Sequence, residues 1–544
     1  MALLDDAKAW LDQDPDAVTR AELEALIETG GEALAERFAS RLAFGTAGLR
    51  GELGAGPTRM NRVLVTQAAA GLAAYLLSRE SSPSIVIGYD GRRNSEVFAR
   101  DTATIMAGAG VQTTLLPRSL PTPVLAFAVR HLGTSAGVMV TASHNPANDN
   151  GYKVYLGKDD HGSQIVPPAD GLIAADIDLI AKTPIGELPR STDFIVADDA
   201  VLHEYVRRTA AIATGSATGN LTFVYSAMHG VGWETARLVF AAAGFGEPEV
   251  VTEQVEPDAA FPTVAFPNPE EPGAMDLTFA RATAVGADLA IVNDPDADRL
   301  AVAVPSADGT WRRLSGNEVG SLLGWRAAEA AGPDGVLAAS IVSSPALRTI
   351  AQEYRLHYED TLTGFKWISR VPGLVYGYEE ALGYLVDPEV VRDKDGISAA
   401  VDFLSLASQL KAQGRTIDDH LDAFADRFGA FASAQVSLRF DDLSLITTAM
   451  TRLRENPPAS VGSIVVEQID DFAEGFEQYP AGDILRFHFV GGARVIVRPS
   501  GTEPKLKVYI DASDDAGTAA ERRARAEAVV AELEAGMRDL LGAP

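Results

Sequence analysis

The sequence predicts an α/β protein: three similar domains with mixed or parallel sheets, then a C-terminal α+β domain. Three observations predict it. A strand–helix–strand–helix–strand rhythm occurs three times in succession. After it, strands group together and one long helix closes the chain. Finally, 544 residues exceed what a single hydrophobic core serves. The expected divisions are 1–205, 206–314, 315–437 and 438–544.

In the first stretch Ser84 to Gly88 is an apolar, β-branched run and reads as a strand. Asn94 reads as the cap of a helix ending near Gly108, Val111 to Leu116 as a second strand, Pro123 to Leu132 as a short helix and Ala136 to Thr141 as the third strand. The second stretch repeats the order with Leu221 to Tyr225, Trp233 to Ala243, Glu249 to Thr252, Ala274 to Val285 and Asp288 to Val292. The third uses Gly335 to Val342, Pro345 to Glu353, His357 to Glu359, Gly364 to Arg370 and Leu374 to Tyr378. Such alternation implies sheets covered on both faces, with ligands beyond the carboxyl ends of the strands. That rule points to the loops 141–146, 294–299 and 379–383. In the last part Ser463 to Ile469, Ile484 to Val490, Arg494 to Val497 and Leu506 to Ile510 read as strands. Gly491-Gly492 reads as a hairpin turn, and Thr518 as the N-cap of a helix reaching Leu541.

Composition narrows the chemistry. A net charge of −29 repels nucleic acid, so a phosphorylated ligand requires a local island of basic groups. The chain has no cysteine, which excludes disulfides, thiolate metal sites and cysteine nucleophiles. It has no run of 18 apolar residues, and Met1 to Trp10 lacks the basic start of a signal peptide, so no membrane is expected and a cytoplasmic location is. Without a secretory signal, the glycosylation pattern Asn220-Leu221-Thr222 carries little weight.

Four segments carry candidate chemistry. Asp294, Asp296 and Asp298 alternate, and Pro295 opposes a helix, so in an extended segment the three carboxylates share one face. Three such groups repel unless a cation lies between them, and their oxygens suit a hard ion, Mg²⁺ or Ca²⁺. Arg299 and Pro305 stand where a calcium loop of the EF-hand type needs Gly and Glu. The plain alternative is a solvated acidic turn. Ser143 follows a strand directly and is a turn residue, a nucleophile or a phosphate carrier; His144 and Lys153 are basic groups nearby. No Gly-x-Ser-x-Gly elbow surrounds it, which disfavours an acyl hydrolase. Arg498 to Lys507 is the basic island: Arg498, Lys505 and Lys507 against one Glu503, with Ser500, Gly501 and Thr502 able to turn amides and hydroxyls inward around a phosphate. Phe44 to Gly51 is a Gly-rich loop containing Arg50, and neither it nor any other segment matches a nucleotide-binding P-loop.

Together these motifs resemble the α-D-phosphohexomutase family, in order and over almost the whole chain. Phe44 to Gly51 looks like its first active-site Arg loop, Thr141 to Pro146 like its phosphoserine loop and Asp294 to Arg299 like its metal loop. Gly377 to Gly383 looks like its sugar-recognition loop, and Arg498 to Lys507 like its phosphate-binding loop. The strings from Ser143 to Tyr155 and from Pro267 to Pro272 are similar to the branch holding phosphoglucomutase-2-like enzymes, phosphopentomutases and some bacterial phosphomannomutases.

The resemblance implies four domains around a central active-site cleft and an isomerase that moves phosphoryl groups on sugars. Ser143 would carry the phosphoryl group, and Asp294, Asp296 and Asp298 would hold one Mg²⁺ together with a phosphoserine oxygen. Arg50, Arg299 and Lys153 would line the transfer site, with Lys153 or His144 moving the hydroxyl proton. Thr363, Gly364, Lys366 and Glu379 would contact the sugar. Arg498, Ser500, Gly501, Thr502 and Lys507 would hold the phosphate that is not reacting. Hexose 1-phosphate and hexose 6-phosphate, glucose first, are the expected substrates, through a sugar 1,6-bisphosphate. Mannose and pentose phosphates are alternatives, as is a phosphatase or a non-catalytic sensor of sugar phosphates. Hexose-specific relatives often carry Ser where this chain has Ala381, which keeps phosphopentose open.

Overall fold

Ser84–Tyr89 and Ala136–Val140 are apolar runs with almost every side chain buried, as strands covered on both faces must be. They lie at the centre of a sheet whose order is Leu49–Glu52, Asp149–Leu156, Ala136–Val140, Ser84–Tyr89, Gln112–Leu115 and Ile195–Val196, with Ser163–Gln164 paired off Asp149–Leu156. The central strands are parallel and Asp149–Leu156 runs antiparallel to its neighbours, so the sheet is mixed. The computed structural model describes residues 2–45, 48–213, 221–306, 308–440, 443–500 and 505–542. Asn220, in the glycosylation pattern, lies outside them.

The chain divides into two units. The first comprises Met1–Leu314, Phe365–Arg370 and Leu382–Gln409; the second comprises Ser315–Gly364, Val371–Ala381 and Leu410–Pro544. Besides the sheet above, the first unit holds a sheet ordered Trp311–Arg313, Leu300–Pro305, Leu289–Asn293, Phe223–Ser226 and Glu249–Val250. Phe223–Ser226 pairs in parallel with both Leu289–Asn293 and Glu249–Val250, and Leu300–Pro305 turns back antiparallel on Leu289–Asn293, which makes the acidic loop a tight reversal.

The helix expected after Asn94 is present as Ser95–Gly108, but the expected cap is not. Asn94 has a left-handed backbone, φ 67°, and its side chain makes no capping bond. A capping side chain needs the extended backbone that Asn94 lacks.

In the second unit Val336–Ser340 pairs in parallel with His357–Thr361 and Leu374–Glu379. An antiparallel sheet follows, ordered Ala430–Arg439, Lys505–Asp514, Arg494–Pro499, Leu485–Phe489, Ile464–Asp471 and Ser460–Val461. Gly491 and Gly492 close one hairpin with φ 93° and 87°, values that favour glycine. Thr518 and Glu521 form a reciprocal cap on Ala519–Leu541, whose Val530, Leu533 and Met537 are buried in one core with Val497 and Val508 of the sheet. The division expected at 437 falls inside Ala430–Arg439, an unbroken strand paired along its length with Lys505–Asp514. Only Ala430 and Val436 of that strand are buried, so its apolar alternation is faint. No helix among the described residues is long and apolar enough to cross a membrane.

Candidate active site

The strand Ala136–Val140 delivers the loop that carries Ser143. Ser143 has φ 52°, a left-handed conformation costing a non-glycine residue about 1–3 kcal/mol. Several bonds hold it there. Its N–H donates to Thr141 Oγ1 at 2.8 Å. The buried guanidinium of Arg92 donates to the carbonyls of Ser143 (2.6 Å), Asn145 (2.5 Å), Pro146 (2.7 Å) and Asp149 (3.1 Å). The Phe261 ring lies 4.9 Å from that guanidinium. So held, the Ser143 side chain donates from Oγ to Asp294 Oδ2 at 2.8 Å and stands 3.2 Å from His144 Nδ1.

Asp294, Asp296 and Asp298 are each 0% exposed, and one oxygen from each lies within 4.8 Å of the others. The solvated acidic turn is therefore excluded. Lys153 Nζ donates to Asp296 Oδ2 (2.7 Å) and Asp298 Oδ2 (2.8 Å), and Lys394 Nζ stands 3.4 Å from the same Asp298 oxygen. Thr122 Oγ1 donates to Asp296 Oδ2 at 2.6 Å, and the Arg299 N–H to Asp294 Oδ1 at 3.0 Å. Asp296 Oδ1 and Asp298 Oδ1 remain buried with no hydrogen-bond donor among the described residues. A buried carboxylate oxygen without a hydrogen bond is costly, and two of them beside a third carboxylate form a donor set that a hard divalent cation satisfies. The residues present fit such an ion.

The charges follow from this packing. Burial, then the charges of Asp296 and Asp298, raises the Asp294 pKa well above its usual value. Burial and Asp298 push Asp296 upward, but Lys153 and the Thr122 hydroxyl outweigh them and its pKa is lowered. Burial opposes charge on Lys153, yet Asp296 and Asp298 outweigh it and raise its pKa. His144 is lowered well below the usual histidine value, first by burial and then by Arg299 and Arg50.

Two glycines permit the close approach. A Cβ on Gly396 would lie 2.2 Å from the Arg299 carbonyl oxygen, and one on Gly230 would lie 2.2 Å from the Cα of Pro295. Arg50, on the strand Leu49–Glu52, donates to Asn145 Oδ1 at 3.3 Å, and Arg299 Nε stands 3.8 Å from Asp298 Oδ1. Ser143, His144, Lys153, Arg50, Arg299 and the three aspartates are thus gathered at one place in the first unit. Lys366 lies on the short helix Phe365–Ile368 of that unit, its Nζ 5.8 Å from the centre of the Trp367 ring.

The other expected residues belong to the second unit. Thr363 and Gly364 form a bend, with φ 109° at Gly364, and Glu379 ends the strand Leu374–Glu379. Arg498 pairs across strands with Lys507, and the Ser500 N–H donates to the Lys505 carbonyl at 2.7 Å, so the basic island is a hairpin end. Gly501 and Thr502 lie outside the described residues. Sequence reading missed Arg92, Thr122 and Lys394. Each acts on a partner far along the chain, for example 174 residues from Thr122 to Asp296, and no local spacing marks it.

Comparison with known proteins shows the family to which these domains belong. Models of the phosphoglucomutase/phosphomannomutase family match the α/β/α domain I over 41–183, domain II over 203–308, domain III over 315–428 and the C-terminal domain over 450–528. Four such domains in this order, with a serine beside three buried aspartates in the first unit, define a phosphohexomutase-type isomerase. The chain belongs to the phosphoglucomutase/phosphomannomutase family of the α-D-phosphohexomutase superfamily. It is 56% identical over 483 residues to a Haemophilus influenzae protein named "Probable phosphomannomutase", covering 89% of this chain and 98% of that one. It is 35% identical over 559 residues to the phosphopentomutase of Mus musculus, covering 92% and 89%. The crystal structure of a phosphoglucomutase/phosphomannomutase family protein from Burkholderia thailandensis shares the fold, with a TM-score of 0.70 at 18% identity over 92% of this chain and 97% of that one.

Proposed function

We propose that this mutase interconverts hexose 1-phosphate and hexose 6-phosphate, glucose preferred, by carrying a phosphoryl group on Ser143 and passing through a sugar 1,6-bisphosphate. The observation that supports it most is the 2.8 Å contact between Ser143 Oγ and Asp294, inside a buried triad with two further oxygens that accept no hydrogen bond among the described residues. In the first transfer the Oγ–P bond breaks as a bond forms from phosphorus to the free sugar hydroxyl. That hydroxyl loses a proton, and Ser143 Oγ gains one. The bisphosphate turns over, and its other phosphoryl group returns to Ser143 by the reverse exchange.

The chain's own groups divide the work. Asp294, Asp296 and Asp298, with an oxygen of phosphorylated Ser143, would hold one Mg²⁺, which when bound offsets negative charge on the transferring group. Arg50, Arg299 and Lys153 supply fixed positive charge around the same place. His144 Nδ1, 3.2 Å from Oγ, is within reach of the proton that Ser143 gains. Ser143 is 2% exposed, which keeps water from hydrolysing its ester. Thr363, Gly364, Lys366 and Glu379 would contact the sugar, and Arg498, Ser500, Gly501, Thr502 and Lys507 the distal phosphate.

One feature favours a second reading. Ala381 offers no hydroxyl to a hexose, and a phosphopentomutase stands among the relatives, so ribose phosphate is the first competitor. Comparing kcat/KM on glucose, mannose and ribose 1-phosphates, with Mg²⁺ and a catalytic sugar bisphosphate, tests the preference. The reading predicts glucose highest. Ribose or mannose highest would replace glucose, and phosphate release outrunning isomerisation would make the protein a phosphatase.

A further inference from the structure

Asp296 presents its two oxygens to unlike surroundings. Oδ2 accepts from Lys153 Nζ at 2.7 Å and from Thr122 Oγ1 at 2.6 Å. Oδ1 is buried and has no donor among the described residues. A carboxylate rotates about its last torsion with a broad, two-fold preference, so nothing in the aspartate itself chooses which oxygen turns which way. The surroundings choose, and one of the two donors is a neutral hydroxyl that is 0% exposed.

Thr122 is well built for that task. It opens the helix Thr122–His131 between Pro121 and Pro123, a rigid frame that restricts its backbone. Its own N–H, one of the orphan donors of a helix start, donates to the Asp296 carbonyl at 2.9 Å. Thr122 therefore grips both the main chain and the side chain of Asp296, across 174 residues of sequence. Lys153 divides its bonds between Asp296 and Asp298. The Thr122 hydroxyl bonds no other aspartate of the triad.

We propose that Thr122 is a positioning residue for the metal site: its hydroxyl fixes the Asp296 carboxylate so that Oδ1 faces the cation. This rests on the proposed metal-binding role of the triad. It assigns Thr122 no contact with substrate. Partners of metal ligands at this remove commonly alter metal affinity 10- to 100-fold when they are lost.

The test is calorimetric titration of MgCl₂ into the full-length, metal-free protein, with Thr122→Val and Thr122→Ser beside the wild type. Valine keeps the shape and removes the hydroxyl; serine keeps the hydroxyl. Thr122→Val should bind Mg²⁺ about 10- to 100-fold more weakly, Thr122→Ser within about threefold of the wild type. At saturating Mg²⁺ the valine variant should regain most of its kcat, since the defect lies in holding the ion. If Thr122→Val fails to fold, Thr122→Cys, of similar size with a weak S–H donor, serves the same comparison and should also bind more weakly. Affinity in the valine or cysteine variant equal to the wild type would overturn the role of Thr122 while leaving the metal site intact. A wild type that binds no Mg²⁺ would overturn the metal site, and this role with it.

Discussion

Ser143 Oγ donates a 2.8 Å hydrogen bond to Asp294 Oδ2, although 151 residues separate them in the chain. Two sheets are needed for this. One ends a parallel strand at Val140 and the other ends one at Asn293, and their carboxyl-end loops meet. The bond joins the expected phosphate carrier to the expected metal ligands.

Arg92 should prove as sensitive as the residues it supports. Its guanidinium satisfies four carbonyls of the serine loop. A lysine ammonium is a compact point and cannot span them. The Ser143 carbonyl is buried, and leaving it without a donor costs about 1–3 kcal/mol. Arg92→Lys should therefore lower both thermal midpoint and kcat, while KM for Mg²⁺ changes less. An unchanged midpoint would mean the loop keeps its shape without the guanidinium.

Gly396→Ala should damage the metal loop. Its Cβ would sit 2.2 Å from the Arg299 carbonyl oxygen, and overpacking of that kind costs about 1–3 kcal/mol. Gly171, on the helix Ala169–Ile180, is the control, because a Cβ there meets nothing. Gly171→Ala should stabilise by about 0.5–1 kcal/mol. Urea unfolding of both variants measures the contrast.

The second unit should lose stability on mild acidification through His420. This imidazole stacks on Trp325 with ring centres 4.5 Å apart, and its Nδ1 is buried without a hydrogen-bond partner among the described residues. Burial, then Arg415 and Arg326, lowers its pKa from 6.5 to about 4. The unfolded state therefore binds a proton that the folded state refuses between those values. Stability from this group is complete above pH 6.5 and declines as the pH falls toward 4. His420→Phe keeps the stack, and its unfolding midpoint should fall less steeply over that range. An identical slope would show that His420 does not carry the effect.

Removing the divalent ion should abolish turnover and soften the protein. A chelator should remove activity that Mg²⁺ restores, and Mg²⁺ at a hundred times its Kd should stabilise the fold by about 2.7 kcal/mol. Asp298→Asn should shrink that gain in a thermal shift assay. Stabilisation equal to the wild type would count against the triad as the site.

The order of strands and helices was legible because apolar runs and turn residues are local signals. The triad was legible by its residue types, but not through the extended segment expected: Pro295 and Asp296 form a turn, Ala297 has φ 56°, and that turn, closed by the Ala297 N–H on the Asp294 carbonyl at 2.8 Å, gathers the three carboxylates. Ser143 was weaker: its residue type suggested a carrier, and only its company of other motifs made it stand out. Arg92 and Thr122 were illegible for a physical reason. Their partners are backbone carbonyls and a distant carboxylate, fixed by the meeting of two sheets rather than by neighbours in sequence. The edge strand Ala430–Arg439 was missed for the opposite reason, because it buries only two side chains and leaves little pattern to read.

Whether Ser143 carries the phosphoryl group can be measured directly. The protein is incubated with Mg²⁺ and a sugar 1,6-bisphosphate bearing labelled phosphate, digested, and the modified peptide located by mass spectrometry. The account predicts label on Ser143, chased into sugar phosphate when unlabelled glucose 1-phosphate is added, and no label or turnover in Ser143→Ala. Label on another residue, or sustained isomerisation by Ser143→Ala, would contradict it.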